Sequence, residues 1–140
     1  MLTMQELSQG RTLAEEQGMT EEIGSAVARL AAEEMTAGRL DTARSLLEGL
    51  AVTNPRDPAA WAMLAQVERR QGRSWTAYLC AETAARLAPE DEQVRLVRAE
   101  VLLAIPEQGP AARAELSGLA GLKGPIGERA RGLLAALGPR

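Results

Sequence analysis

The chain has 140 residues, of which 46% are hydrophobic but only 2% aromatic, and it contains no His. Its net charge of −3 disfavours nucleic-acid binding, which needs a basic face to neutralise phosphates. The lack of His removes the commonest general base and metal ligand, and Cys80, the single cysteine, leaves no pair for an internal disulfide or a cysteine-based metal site.

The composition also favours helices over strands and an aqueous location. No segment alternates apolar and polar residues with β-branched enrichment, so the sequence predicts no strand. The first residues lack the basic and then apolar run of a secretory signal, and no apolar run has the length that spans a bilayer. We therefore expect an all-α protein that is cytoplasmic and does not insert into membranes.

The first predicted element is an N-terminal helix over residues 1–19. Thr3 and Glu6 have the spacing of a capping box, and Gly18 follows as a left-handed stop. A second helix start lies at Thr20, where Glu21 and Glu22 suit the positive end of the helix dipole.

Three helix pairs follow, separated by regular turn signals. The first helices of pairs one and two cover about 21–37 and 58–71, and each ends before a glycine, Gly38 or Gly72. The expected caps of the helices are Asp41, Asp57, Ser74 and Asp91. The second helices cover about 41–53 and 74–88. The third pair covers about 91–105 and 110–119, with a longer turn at 106–109, and a last helix covers 125–137.

The helix pairs recur at a spacing of 34 residues. The matching positions pair Leu30 with Leu64, Ala31 with Ala65, Gly38 with Gly72, Arg39 with Arg73, Ala43 with Ala77, Pro55 with Pro89, and Asp57 with Asp91. This is the period of tetratricopeptide (TPR) repeats, and Trp61, Leu64, Ala65 and Pro89 resemble their consensus. We expect a repeat region over 20–123 with about three repeats, at about 24–57, 58–91 and 92–124. The repeats should stack as a superhelical array, and a C-terminal capping helix should cover 125–140. The third repeat departs at Arg98, where the consensus has Leu.

The stretches GRLDTARSLLEGLAVTNPRDPAAW, from Gly38, and AEVLLA, from Ala99, resemble a narrower family, the class II (translocator) chaperones of bacterial type III secretion. The resemblance implies a small acidic cytoplasmic protein whose concave groove holds an extended segment of a hydrophobic translocator. It also implies that the N-terminal helix helps to form a homodimer. The alternative hypothesis is a TPR scaffold or adaptor that assembles a larger secretion, motility or signalling complex.

The phase of the repeats predicts a partner-binding groove on the first helix of each pair. Two apolar ends flank a polar, basic middle, which suits an extended peptide with apolar side chains and an acidic centre. The predicted groove residues are Ala28, Ala32, Met35, Ala62, Gln66, Arg69, Arg70, Leu96, Glu100 and Leu103.

The sequence also suggests roles for four further side chains. Trp61 is expected to fill the gap between helices. Trp75 and Tyr78 are candidate interface aromatics, and packing on the next repeat is the alternative. Cys80 is expected to be a small buried apolar residue.

The sequence predicts no enzyme, no cofactor and no metal site. Neighbouring acids such as Glu15 and Glu16 are explained as solvated helix faces, and no glycine-rich phosphate loop follows a strand. Charge is uneven, because residues 1–37 carry seven acids and two arginines (net −5) and residues 108–140 carry two acids and five bases (net +3). This asymmetry reflects either solvated faces or steering between protomers or toward a protein partner.

Overall fold

The computed structural model describes residues 21–139, which form seven α-helices and no strand. The helices are α1 (Glu21–Thr36), α2 (Leu40–Thr53), α3 (Pro58–Arg70), α4 (Ser74–Leu87), α5 (Glu92–Leu103), α6 (Gly109–Leu119) and α7 (Pro125–Leu137). The all-α prediction is confirmed. The predicted N-terminal helix over 1–19 and its capping box lie outside the described residues, and the exact division into repeats stays a prediction.

The tight turns after α1 and α3 depend on glycine. Gly38 and Gly72 have φ of 82° and 81°, a left-handed conformation that favours glycine. The backbone N–H groups of Arg39 and Arg73 then donate to the carbonyls of Glu34 and Glu68, each at 2.9 Å, which satisfies the ends of the helices. The turn after α5 differs, because Pro106 stands where the glycine recurs and the left-handed residue is Glu107, with φ of 68°.

Two of the four predicted helix caps form. The Asp57 carboxylate accepts from the backbone N–H of Ala59, and that of Asp91 from Val94, each at 3.0 Å. The predictions for Asp41 and Ser74 are wrong. The glycine turns lead straight into α2 and α4, so that Arg39 and Arg73 occupy the cap positions and make no side-chain cap bond.

The core contains two clusters, one from α1 to α5 and one joining α5, α6 and α7. Leu47, Leu102, Leu116 and Leu119 are its largest fully buried apolar side chains. Alanines such as Ala43, Ala65, Ala77 and Ala99 are completely buried. Because alanine allows backbones to approach closely, the helices pack tightly without aromatic residues.

The helices form a curved array, because the helices on one side of it lie closer together than those on the other side. Each helix contacts the next, and α1, α3, α5 and α7 also contact one another in sequence. Among the described residues, α2, α4 and α6 make no such contacts with one another. The side formed by α1, α3, α5 and α7 is therefore the concave one, called here the inner face. None of the described helices is long and apolar enough to cross a membrane.

Candidate functional site

All ten predicted groove residues lie on α1, α3 and α5, three of the four helices of the inner face. Most of them occupy equivalent positions 34 residues apart, as Ala32, Gln66 and Glu100 do. Their exposure is unequal, because Ala62 and Leu96 are each only 5% exposed and belong to the core clusters. The exposed or half-buried groove residues are Ala28, Ala32, Met35, Gln66, Arg69, Arg70, Glu100 and Leu103.

Two arginines of α3 link neighbouring helices across the inner face. Nη1 of Arg70 donates to the backbone carbonyl of Met35 on α1 at 3.0 Å. Nη2 of Arg69 donates to Oε2 of Glu100 on α5 at 3.3 Å. These two side chains are adjacent in sequence but point to opposite neighbours, so the inner face is polar along its middle.

Arg129 and Arg131 of α7 both contact neighbouring parts of the chain. Nη2 of Arg129 lies 3.6 Å from Oε2 of Glu100, which brings α7 to the inner face as its fourth helix. Nη1 of Arg131 donates to the carbonyls of Ala120 and Leu122 at 2.7 and 3.1 Å. A sequence signal for Arg129 exists, since it lies three residues after Ile126 and four before Leu133, which both pack on the core.

The contacts across the inner face carry excess positive charge. Arg69, Arg70 and Arg129 supply three guanidiniums, and Glu100, whose side chain is 11% exposed, supplies one carboxylate. The Nε of Arg69 is buried and has no hydrogen-bond partner in the part of the chain that the structure describes. These groups thus have fewer acceptors than donors, which favours a ligand that brings acceptors or negative charge.

A second acidic side chain, Glu68 at the end of α3, is fully buried away from these contacts. Its Oε1 accepts from Nε of Arg44 at 2.7 Å and its Oε2 from Nε of Arg73 at 2.8 Å. The bond to Glu68 raises the pKa of the Arg73 guanidinium above its ordinary value. Arg73, at the turn between α3 and α4, is thus held by its ion pair with Glu68.

The two candidate interface aromatics, Trp75 and Tyr78, differ in exposure. Trp75 is 63% exposed, whereas Tyr78 is half-buried and packs against the core, and their rings meet edge to face with centroids 5.9 Å apart. Trp61 also packs against the core, and its Nε1 donates to the carbonyl of Pro55 at 2.8 Å. A partner contact at Trp75 stays a prediction.

Arg98, where the repeat pattern has Leu, is held by acids on both neighbouring helices. Its Nε contacts Oε1 of Glu82 on α4 at 2.5 Å, and its Nη1 lies 3.8 Å from Oε2 of Glu115 on α6.

In the part of the chain that the structure describes, no group of His, Cys, Asp and Glu side chains is arranged to hold a metal ion.

Comparisons with known proteins agree with this architecture. Residues 25–67 match the family model of the tetratricopeptide repeat. No curated protein matches the sequence significantly. The chain is thus connected to known proteins mainly through its fold.

Solved structures of type III secretion proteins match almost the whole chain. The translocator chaperone SycD of Yersinia enterocolitica matches with a TM-score of 0.77 and 20% identity, over 91% of this chain and 98% of SycD. A type III secretion complex from Aeromonas hydrophila matches with a TM-score of 0.78 and 21% identity, over 93% of this chain and 90% of its own. PcrH of Pseudomonas aeruginosa matches with a TM-score of 0.72 and 16% identity, over 86% and 95%.

Two of these proteins have also been solved with peptides. SycD has been solved with a peptide of the translocator YopD, and PcrH with the chaperone binding region of PopD. At these identities the similarity establishes the fold. The predicted TPR-like array and its resemblance to translocator chaperones are confirmed at that level.

Proposed function

We propose that this chain is a non-enzymatic chaperone that holds an extended segment of a hydrophobic client, of the translocator type, on its inner face in the cytoplasm. The observation that carries the proposal is the continuous inner wall of α1, α3, α5 and α7, with contacts through Arg70, Arg69, Glu100 and Arg129. The peptide complexes of SycD and PcrH support it.

Binding on this wall protects the client from water. Ala28, Ala32 and Met35 on α1 and Leu103 on α5 offer apolar surface on either side of the charged middle. Apolar side chains of an extended segment lose contact with water there, and this is the main driving force for such association. The arginines near the middle orient the segment by charge. No cofactor or catalytic step is involved.

A direct test is co-expression with the hydrophobic translocator from the source organism. Wild type should keep the translocator soluble and co-elute with it. Ala32→Arg should abolish this, because Ala32 is exposed on α1 and a long charged side chain there occupies the inner face. Ser45→Arg, at an exposed position of α2 away from the inner face, is the matched control and should behave like wild type.

Two results would contradict the proposal. One is a translocator that stays insoluble with wild type, and the other is an Ala32→Arg variant that co-elutes as well as the control does. Recovery of the chain in a stable, non-secreted assembly without any translocator would favour the scaffold hypothesis.

A further inference from the structure

Two clusters in this molecule each place one glutamate between two arginines, but they differ in geometry and in charge balance, because Glu48 also pairs with Arg44 of the first cluster at 3.0 Å. In the first, Glu68 accepts from Arg44 and Arg73 at 2.7 and 2.8 Å. In the second, Glu100 receives Arg69 at 3.3 Å and Arg129 at 3.6 Å, both on Oε2. Charge-assisted bonds between arginine and carboxylate usually measure about 2.7–2.9 Å, so only the first cluster is closed.

The two clusters also differ in exposure. The Glu68 side chain is 1% exposed, as expected of a structural ion pair within the fold. The Glu100 side chain is 11% exposed, whereas the arginines of both clusters are partly exposed, at 41% and 40% in the first cluster and 30% and 57% in the second. The Glu100 cluster is thus open to a ligand on the inner face.

The Glu100 cluster has too few acceptors. Each guanidinium carries five N–H donors, and the two arginines share one carboxylate oxygen, Oε2 of Glu100. The buried Nε of Arg69 has no acceptor among the described residues. Two positive charges against one negative charge leave a net charge of +1, which a single additional carboxylate would neutralise.

We propose that Arg69 and Arg129, on either side of Glu100, form a subsite for one Asp or Glu side chain of the bound segment. The inference rests on the proposed function and names a chemical requirement for its client. It also gives the C-terminal helix α7 a role in recognition, since Arg129 is the more exposed of the two arginines.

The test is selection of peptides from a fully random display library on immobilised wild-type protein and on Arg129→Glu. Wild type should enrich peptides with Asp or Glu at a fixed offset from apolar residues. Arg129→Glu should keep the apolar positions but replace the acid by Lys or Arg, because the charge of the subsite is reversed. Arg86→Glu, an exposed arginine of α4, is the matched control and should keep the acidic preference.

The selected peptides then give a quantitative check. Replacing the acid by its amide in the best wild-type peptide should weaken binding about three- to tenfold, the range of a partly exposed ion pair. The same replacement should cause no loss of binding to Arg129→Glu. Thermal unfolding of both variants, whose substituted side chains are exposed, should match wild type.

Different outcomes separate this inference from the proposed function. Peptides enriched at apolar positions without an acid, or an acidic preference that survives Arg129→Glu, would overturn the carboxylate subsite and leave the proposed function standing. Failure of wild type to enrich any peptide would overturn both.

Discussion

Cys80 lies in the larger core cluster and is 6% exposed. Burial raises the pKa of its thiol to about 11, and the negative charge of Glu68 adds to this effect. Because the thiolate is the reactive form, we expect no alkylation of the native protein by iodoacetamide at mildly alkaline pH and rapid alkylation in urea. Mass spectrometry measures both, and fast modification of the native protein would contradict the burial of this thiol.

The same thiol makes stability depend on pH. In the unfolded chain it ionises with a pKa near its ordinary value of 9.0, whereas in the folded protein the pKa is about 11. The unfolded state therefore loses its proton first as pH rises, and the contribution of this group to stability falls between about pH 9 and 11. Cys80→Ala should flatten that part of a urea-denaturation profile against pH.

Glu68 and Glu34 are equivalent positions 34 residues apart, but their environments differ. Glu68 is 1% exposed and bonded to two arginines, whereas the Glu34 side chain is 13% exposed and, among the described residues, pairs with Arg39 alone. The bond from Arg39 lowers the pKa of the Glu34 carboxyl. The sequence shows that both acids recur with their arginines, but it does not show which one is buried.

Replacement of the two glutamates should therefore have unequal effects. Glu68→Ala should cost about 2 kcal/mol of unfolding free energy, because it leaves Arg73 without its carboxylate and Arg44 with Glu48 alone, although both arginines keep access to water. Glu34→Ala should cost clearly less, because it removes a single ion pair whose arginine is 62% exposed. Urea denaturation followed by circular dichroism measures both, and equal losses would contradict this account.

At the scale of elements, α7 depends on a glycine for its packing. A Cβ at Gly127 would lie 1.8 Å from the carbonyl oxygen of Leu122, so the turn and the helix approach each other more closely than any side chain allows. Arg131, one turn further along α7, donates to the same carbonyl at 3.1 Å. Position 127 therefore sets how α7 packs against the turn that precedes it.

The matched pair Gly127→Ala and Gly132→Ala tests this packing. Gly127→Ala should destabilise the protein by about 1–3 kcal/mol through steric overlap. Gly132→Ala, on the same helix with nothing within 4 Å, should stabilise by up to about 1 kcal/mol through helix propensity. Thermal unfolding compares the two, and a Gly127→Ala variant as stable as Gly132→Ala would contradict the close approach.

Equivalent positions in the three pairs also show how neighbours decide a residue's environment. Leu64 on α3 is 6% exposed, whereas Leu30 on α1 is 44% exposed. Among the described helices, α3 contacts α1, α2, α4 and α5 and lies in the middle of the array, whereas α1 contacts α2 and α3 alone. At the third equivalent position, on α5, Arg98 is not buried like Leu64 but forms ion pairs with Glu82 and Glu115.

At the scale of the whole molecule, the uneven charge leads to a prediction about assembly. The net charge of −5 over residues 1–37 and +3 over 108–140 favours association of two copies by opposite charges. We expect a homodimer in light scattering at low salt that weakens as salt screens these charges. A monomer mass that persists at high protein concentration in low salt would contradict it.

Sequence alone predicted the described helices and their order, because turns and helix crossings impose local requirements at every repeat. Gly38 and Gly72 must adopt a left-handed conformation, and alanines must recur where backbones cross. The tertiary structure decided which of the predicted residues are buried and which of them contact each other. The burial of Ala62 in the core and the contact of Arg129 with Glu100 both depend on elements that are distant in the chain. A 34-residue period does not encode such contacts.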